Sequence, residues 1–263
     1  MSLPPPADLA IALLRWLEYA GLLGFVGVVA VRRLAGMQPP IRWARPSMQP
    51  ALAAAFVGGL LVLATTSLRS GQLPPATLVR FAAEGIALSL CISVGRGAVP
   101  AGFVAVLALP FAGHAAGVQP AGGAIFTDAV HVLSAGIWGG GILVLATLRP
   151  PEGWGGVEAR AMVERFGRVA FLAFAVTAFT GVVNAADALG DVSSLWTTPY
   201  GIILAAKTAG VLAMVAISVL GWRRGWTYAR TDGLLVLLVL AATALLAAFP
   251  TLPYHPLPEL FSP

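Results

Sequence analysis

The chain has 263 residues, of which 58% are apolar and only 10% charged, against about 25% charged in an average soluble domain. With a mean hydropathy of +0.87, this composition excludes a soluble globular enzyme, a disordered regulator and a nucleic-acid-binding domain. The single cysteine, Cys91, excludes an intrachain disulfide, a CxxC redox pair and a Cys-rich zinc site.

Crossing the ~30 Å hydrocarbon layer takes about 20 mostly apolar residues in a helix. Eight such runs follow one another, at 9–31, 48–68, 75–95, 98–116, 125–148, 168–189, 199–221 and 231–250. None alternates with period 2, so a strand reading fails. The expected fold is all-α, a polytopic membrane helix bundle with about eight transmembrane helices. It forms one integral membrane domain over 1–263, with helices 1–3 in 1–97 and helices 4–8 in 98–263. The first run follows Met1-Ser2-Leu3-Pro4 with no basic segment, and it holds Arg15 and Glu18. It is therefore expected to be a retained helix and not a cleaved leader. No soluble domain fits the connections, the longest of which is under 20 residues.

The basic residues set the orientation. Arg32, Arg33, Arg42 and Arg45 follow helix 1, Arg96 follows helix 3, Arg149, Arg160, Arg165 and Arg168 follow helix 5, and Arg223, Arg224 and Arg230 follow helix 7. Those 12 lie on one side, and the opposite loops hold only Arg69. Both termini are thus expected to face outward, to the periplasm of a Gram-negative cell. The pI near 10.1 is then a topology signal and not a phosphate-binding face. The inward segment 149–167 is expected to contain a short interfacial helix from Val157 to Gly167.

Ionisable groups inside spans cost about 2.5–3.5 kcal/mol each on insertion scales and face bundle interiors. Here they gather toward the outward side: Arg15 and Glu18 on helix 1, Arg80 and Glu84 on helix 3, His114 on helix 4, Asp128 and His131 on helix 5, Asn184 and Asp187 on helix 6, and Lys207 on helix 7. Asp232, at the inner start of helix 8, breaks the pattern. Each i,i+3 or i,i+4 pair shares one helix face. The two Arg/Glu pairs read as structural ion pairs, neutralising themselves or each other. His114 and His131 lie on antiparallel neighbours at similar depth, beside Asp128. Two readings stay open for them: each ring bonds a neighbouring helix, or the two hold one metal ion with Asp128 as third ligand or ring orienter.

The remaining signals are weaker. Gly136-Ile137-Trp138-Gly139-Gly140-Gly141 reads as close helix packing, with Trp138 a packing or pathway residue. Cys91 and Met214 read as core, as against soft ligands on an exit route. His255 reads as a tail residue. No arrangement supports nucleophilic catalysis, so no enzymatic activity is expected.

From helix 4 onward the chain resembles the CopD family of bacterial inner-membrane copper-resistance proteins. The resemblance is carried, in order, by Gly113-His114-Ala115, Asp128-Ala129-Val130-His131, Gly136-Ile137-Trp138-Gly139-Gly140, Arg165-Phe166-Gly167-Arg168, Thr180-Gly181-Val182-Val183-Asn184-Ala185, Thr198-Pro199-Tyr200-Gly201 with Lys207, and the last helix ending at Pro250. Ile202 stands where the family often has a basic residue, and Asp232 where it often has Glu. The resemblance implies a multi-pass protein of the bacterial inner membrane that moves copper from periplasm to cytoplasm in copper homeostasis and resistance. It implies His114, His131 and Asp128 as copper-ion ligands. Asn184, Asp187, Lys207, Trp138, Glu84 and Arg80 would then be pathway or supporting residues, and a separate periplasmic copper-binding protein of the CopC type the partner. Two rival expectations are a b-type haem electron carrier with the two histidines as axial ligands, and a copper sensor or assembly partner without a conduction path.

Overall fold

The structure is a computed structural model and describes residues 4–93, 97–112, 121–189, 191–223 and 229–249. The described residues form helices and no strand. In chain order the helices are α1 (Pro6–Ala35), α2 (Gln49–Ser70), α3 (Pro75–Ser93), α4 (Ala98–Leu107), α5 (Ala121–Thr147), α6 (Val157–Leu189), α7 (Pro199–Arg223) and α8 (Ala229–Leu246). Proline opens α1, α3 and α7, where a missing N–H costs nothing and φ is already helical. Gly71 closes α2 with φ +67° and donates its N–H to the Ser67 carbonyl, a left-handed cap that glycine adopts without strain.

Six of these helices are long and apolar enough to cross a bilayer: Asp8–Ala35, Gln49–Ser70, Pro75–Ser93, Ala121–Thr147, Val157–Ala186 and Pro199–Leu220. Apolar side chains such as Phe171, Phe179, Val182 and Leu212 are exposed on them, which water would penalise and hydrocarbon does not.

Two expectations are corrected. The fourth run was expected to span over 98–116, but its described helix is 10 residues long, about 15 Å at 1.5 Å per residue. Pro110 lies just beyond it; it has no N–H to give and its ring opposes a helical carbonyl four residues back. The interfacial helix expected at Val157–Gly167 is not separate. It runs without a break into the next span, making α6 33 residues long, or about 50 Å. Ala159, Met162 and Phe166 bury its inner face. Arg165 ties it to the α1–α2 connection by donating to the carbonyls of Leu34 (3.1 Å), Met37 (3.2 Å) and Pro39 (2.8 Å).

The core is organised around α1, which touches α2, α4, α5, α6 and α8. Small residues permit this. A Cβ on Gly21 would stand 2.2 Å from the Ala55 backbone nitrogen, and one on Gly58 would stand 2.5 Å from the Glu18 nitrogen. Against α5, Gly27 faces Gly140 so closely that a Cβ on Gly140 would lie 1.9 Å from the Leu23 carbonyl oxygen. The expected packing role of the glycine run is thus seen directly. Gly136–Gly140 forms a π-helical segment inside α5, a widened turn common where a helix is locally reshaped. Cys91 and Met214 both join the apolar core. At the far end of the bundle, Arg15 Nη1 donates to the Ala247 carbonyl (2.6 Å) and Trp16 Nε1 to the Leu237 carbonyl (2.9 Å). A cation thereby sits at the C-terminal end of α8, where the helix dipole favours it.

Candidate metal site

Helix α5 carries Asp128, His131 and Ser134 at three-residue intervals, and α6 carries Thr177, Thr180, Gly181 and Asn184 at helical spacing. The two helices pack together and bring these faces into contact. His131 Nδ1 lies 3.1 Å from the Thr177 carbonyl oxygen and 3.1 Å from Thr180 Oγ1. The carbonyl can only accept. The Thr180 hydroxyl proton is already directed at the Val176 carbonyl, 2.7 Å away. Nδ1 therefore carries the proton and donates to both, which leaves Nε2 with a lone pair in the neutral ring. This is the tautomer of a metal-ligating histidine whose far nitrogen is held by a backbone carbonyl.

Gly181 gives the ring its room: a Cβ there would stand 3.3 Å from His131 Cε1 and 3.7 Å from Nδ1. Ser134 Oγ and Thr177 Oγ1, 2.8 Å apart, close the helix contact beneath the ring. Trp138, two turns along α5 from His131, is buried and packs on Phe174 with ring centroids 4.9 Å apart. Asn184 Nδ2 donates to Asp128 Oδ1 at 3.2 Å. Lys207, on α7, acts electrostatically on both His131 and Asp128. Asp128, His131 and Asn184 thus meet where α5 and α6 pack.

Other candidates stand elsewhere. His114 and His255 lie outside the described residues, as does the side chain of Asp187. Arg80 and Glu84 belong to a separate cluster with Glu18, between α1 and α3. There the ion pair crosses helices: Arg80 Nε is 2.6 Å from Glu18 Oε1, while Arg15 turns away to Ala247. Among the described residues no group of three His, Cys, Asp or Glu side chains is placed to hold a metal ion. Residue types alone had not singled out Thr177 as the anchor of His131. Its spacing to Thr180 and Asn184, one face over two turns, is the signal that could have found it.

The anchored ring predicts a graded response. Thr180→Val removes one of the two acceptors of Nδ1–H and keeps the Thr177 carbonyl. Copper affinity, measured by competition with a chelator, is expected to fall about 10-fold, at the low end of losses for groups that orient a ligand. An unchanged affinity would show that the hydroxyl does not orient the ring.

Long apolar helices around an intramembrane His–Asp–Asn cluster define a multi-pass membrane protein. Residues 160–246, a third of the chain, match the family model for Copper resistance protein D. The chain is also similar to the Copper transport protein CutJ of Bacillus subtilis (strain 168), at 31% identity over 170 residues. That similarity covers 60% of this chain and 31% of CutJ, so the chain spans about a third of the length of the curated relative it matches. No solved structure matches the chain.

Proposed function

We propose that the chain carries copper across the bacterial inner membrane, from periplasm to cytoplasm, as a carrier and not an enzyme. What supports the reading is the setting of His131: a part-buried imidazole whose Nδ1–H is occupied on α6 and whose Nε2 is left as a ligand atom. Copper similarity enters through the family and through CutJ. In this proposal His131 and His114 ligate the ion and Asp128 supplies an oxygen or charge. Asn184, Asp187, Lys207 and Trp138 line the way. Imidazole suits copper among the first-row metals. Lys207 offsets the Asp128 charge, and a site that must release its ion benefits from weaker electrostatic hold. With the arginine-rich connection between α5 and α6 facing inward, Asp128 and the end of α6 would lie on the periplasmic side, within reach of a CopC-type donor.

Reconstitution tests this. Proteoliposomes holding the wild-type chain are expected to accumulate copper, and those holding His131→Ala are expected not to. Copper bound at near one equivalent without flux would reassign the protein as a sensor or assembly partner. A Soret band in the purified protein would reassign it to electron transfer.

A further inference from the structure

The copper proposal does not use the buried charges between α1 and α3. Glu18 and Glu84 are 0% exposed and Arg80 is 5% exposed. Glu84 stands nine residues from each end of α3, so the cluster lies deep in the helix bundle. Arg80 pairs with Glu18 at 2.6 Å. Glu84 has no such partner among the described residues, where no donor reaches either of its carboxyl oxygens. Its carboxyl instead converges with that of Glu18 on one point of α2. Gly59 of α2 makes the gap that both occupy. A Cβ there would stand 2.1 Å from Glu84 Oε2 and 3.4 Å from Glu18 Oε1.

Two ionised carboxylates cannot hydrogen-bond each other, since both only accept. The charges also fail to balance, with two carboxylates against one guanidinium. Arg15 acts on Glu18 from its seat at Ala247 and is not among the groups acting on Glu84. Tyr19 is a further ionisable neighbour on α1, and α2 sets Gly58 and Gly59 against the two glutamates. An uncompensated negative charge buried among apolar helices is costly. One proton solves both problems: it removes the excess charge and supplies the missing donor.

We propose that Glu18 and Glu84 form an intramembrane proton-binding site, in which Glu84 holds one proton and donates it to the Arg80-paired carboxylate of Glu18. Loss of that proton leaves two carboxylates abutting one glycine, so the site exchanges its proton only if the three helices shift or a cation enters.

The test uses the full chain in lipid nanodiscs at neutral pH and needs no copper, so its outcome is independent of the copper proposal. Infrared spectroscopy is expected to show one protonated carboxylic-acid carbonyl band that shifts in D2O. Glu84→Gln, which mimics the protonated side chain in shape and charge, is expected to remove the band, and Asp232→Asn is expected to retain it. Should Glu84→Gln fail to fold, glutamate-specific 13C labelling of the wild type reads the same group, and the band is expected to move. No band in the wild type, a band surviving Glu84→Gln, or a band unmoved by glutamate labelling would overturn the proposal.

Discussion

His131→Ala is expected to weaken copper binding by more than about 100-fold. Loss of a group that merely orients a ligand costs about 10–100-fold in metal affinity, and removal of the ligand itself exceeds that range. The ring is held by two hydrogen bonds from one nitrogen, so Nε2 is presented with little freedom to lose on binding. Alanine deletes the donor atom and leaves the Thr177 carbonyl to its helical partners, so the fold is expected to survive. Asp128→Asn is the informative companion. It removes charge and leaves an amide that still accepts from Asn184, and a loss smaller than that of His131→Ala is expected. Titration of detergent-purified protein with copper measures both. Equal affinity in wild type and His131→Ala would place the ion elsewhere.

Gly140→Val is expected to be the most destabilising single substitution outside the polar clusters, by about 3 kcal/mol or more. A Cβ at this position meets the Leu23 carbonyl oxygen at 1.9 Å and its carbon at 2.7 Å. Both are backbone atoms of the central helix, so no side-chain rotation relieves the clash and α1 must move away from α5. Gly27→Val is expected to act alike, since its Cβ would lie 2.2 Å from the Gly140 carbonyl carbon. Gly122, on the same helix α5, has nothing within 4 Å of a built Cβ. Gly122→Ala is expected to be neutral or slightly stabilising, because alanine loses less backbone entropy in a helix, by about 0.5–1 kcal/mol. Thermal unfolding in one detergent compares the three. Similar melting temperatures for Gly140→Val and Gly122→Ala would refute the close crossing of α1 and α5.

The helices were legible because a bilayer demands long apolar runs, and the starts of α2, α3 and α7 fall within a residue of the expected ones. The end of α4 was also written in the sequence, in Pro110, but a hydropathy window passes over a single proline in an apolar run. The continuity of α6 was hidden differently. Glu158, Arg160, Glu164 and Arg165 read as a surface segment, yet they occupy helical positions whose other face, through Met162 and Phe166, is core. At the candidate site, spacing identified the faces bearing Asp128 with His131 and Arg80 with Glu84. It did not identify partners. Pairing across helices depends on how each helix is rotated and how deep it sits, and glycines such as Gly59 and Gly181 set that through backbone contact. The structure therefore joins Arg80 to Glu18 and His131 to Thr177, pairs that no local rule along the chain encodes.

The placement of α1 also bears on the order of events during synthesis. α1 is made before every helix that packs on it, and its bonds to Ala247 and Leu237 span 232 and 221 residues of chain. At ribosomal speeds of about 5–20 residues per second, α1 waits on the order of 10–50 s for those partners. Glu18 waits a shorter time, until Arg80 is made. α1 must therefore enter the bilayer ahead of the partners of its charges and be kept near the insertion machinery while the later helices are threaded around it, which makes the translocon or a membrane chaperone a working part of how this bundle is assembled.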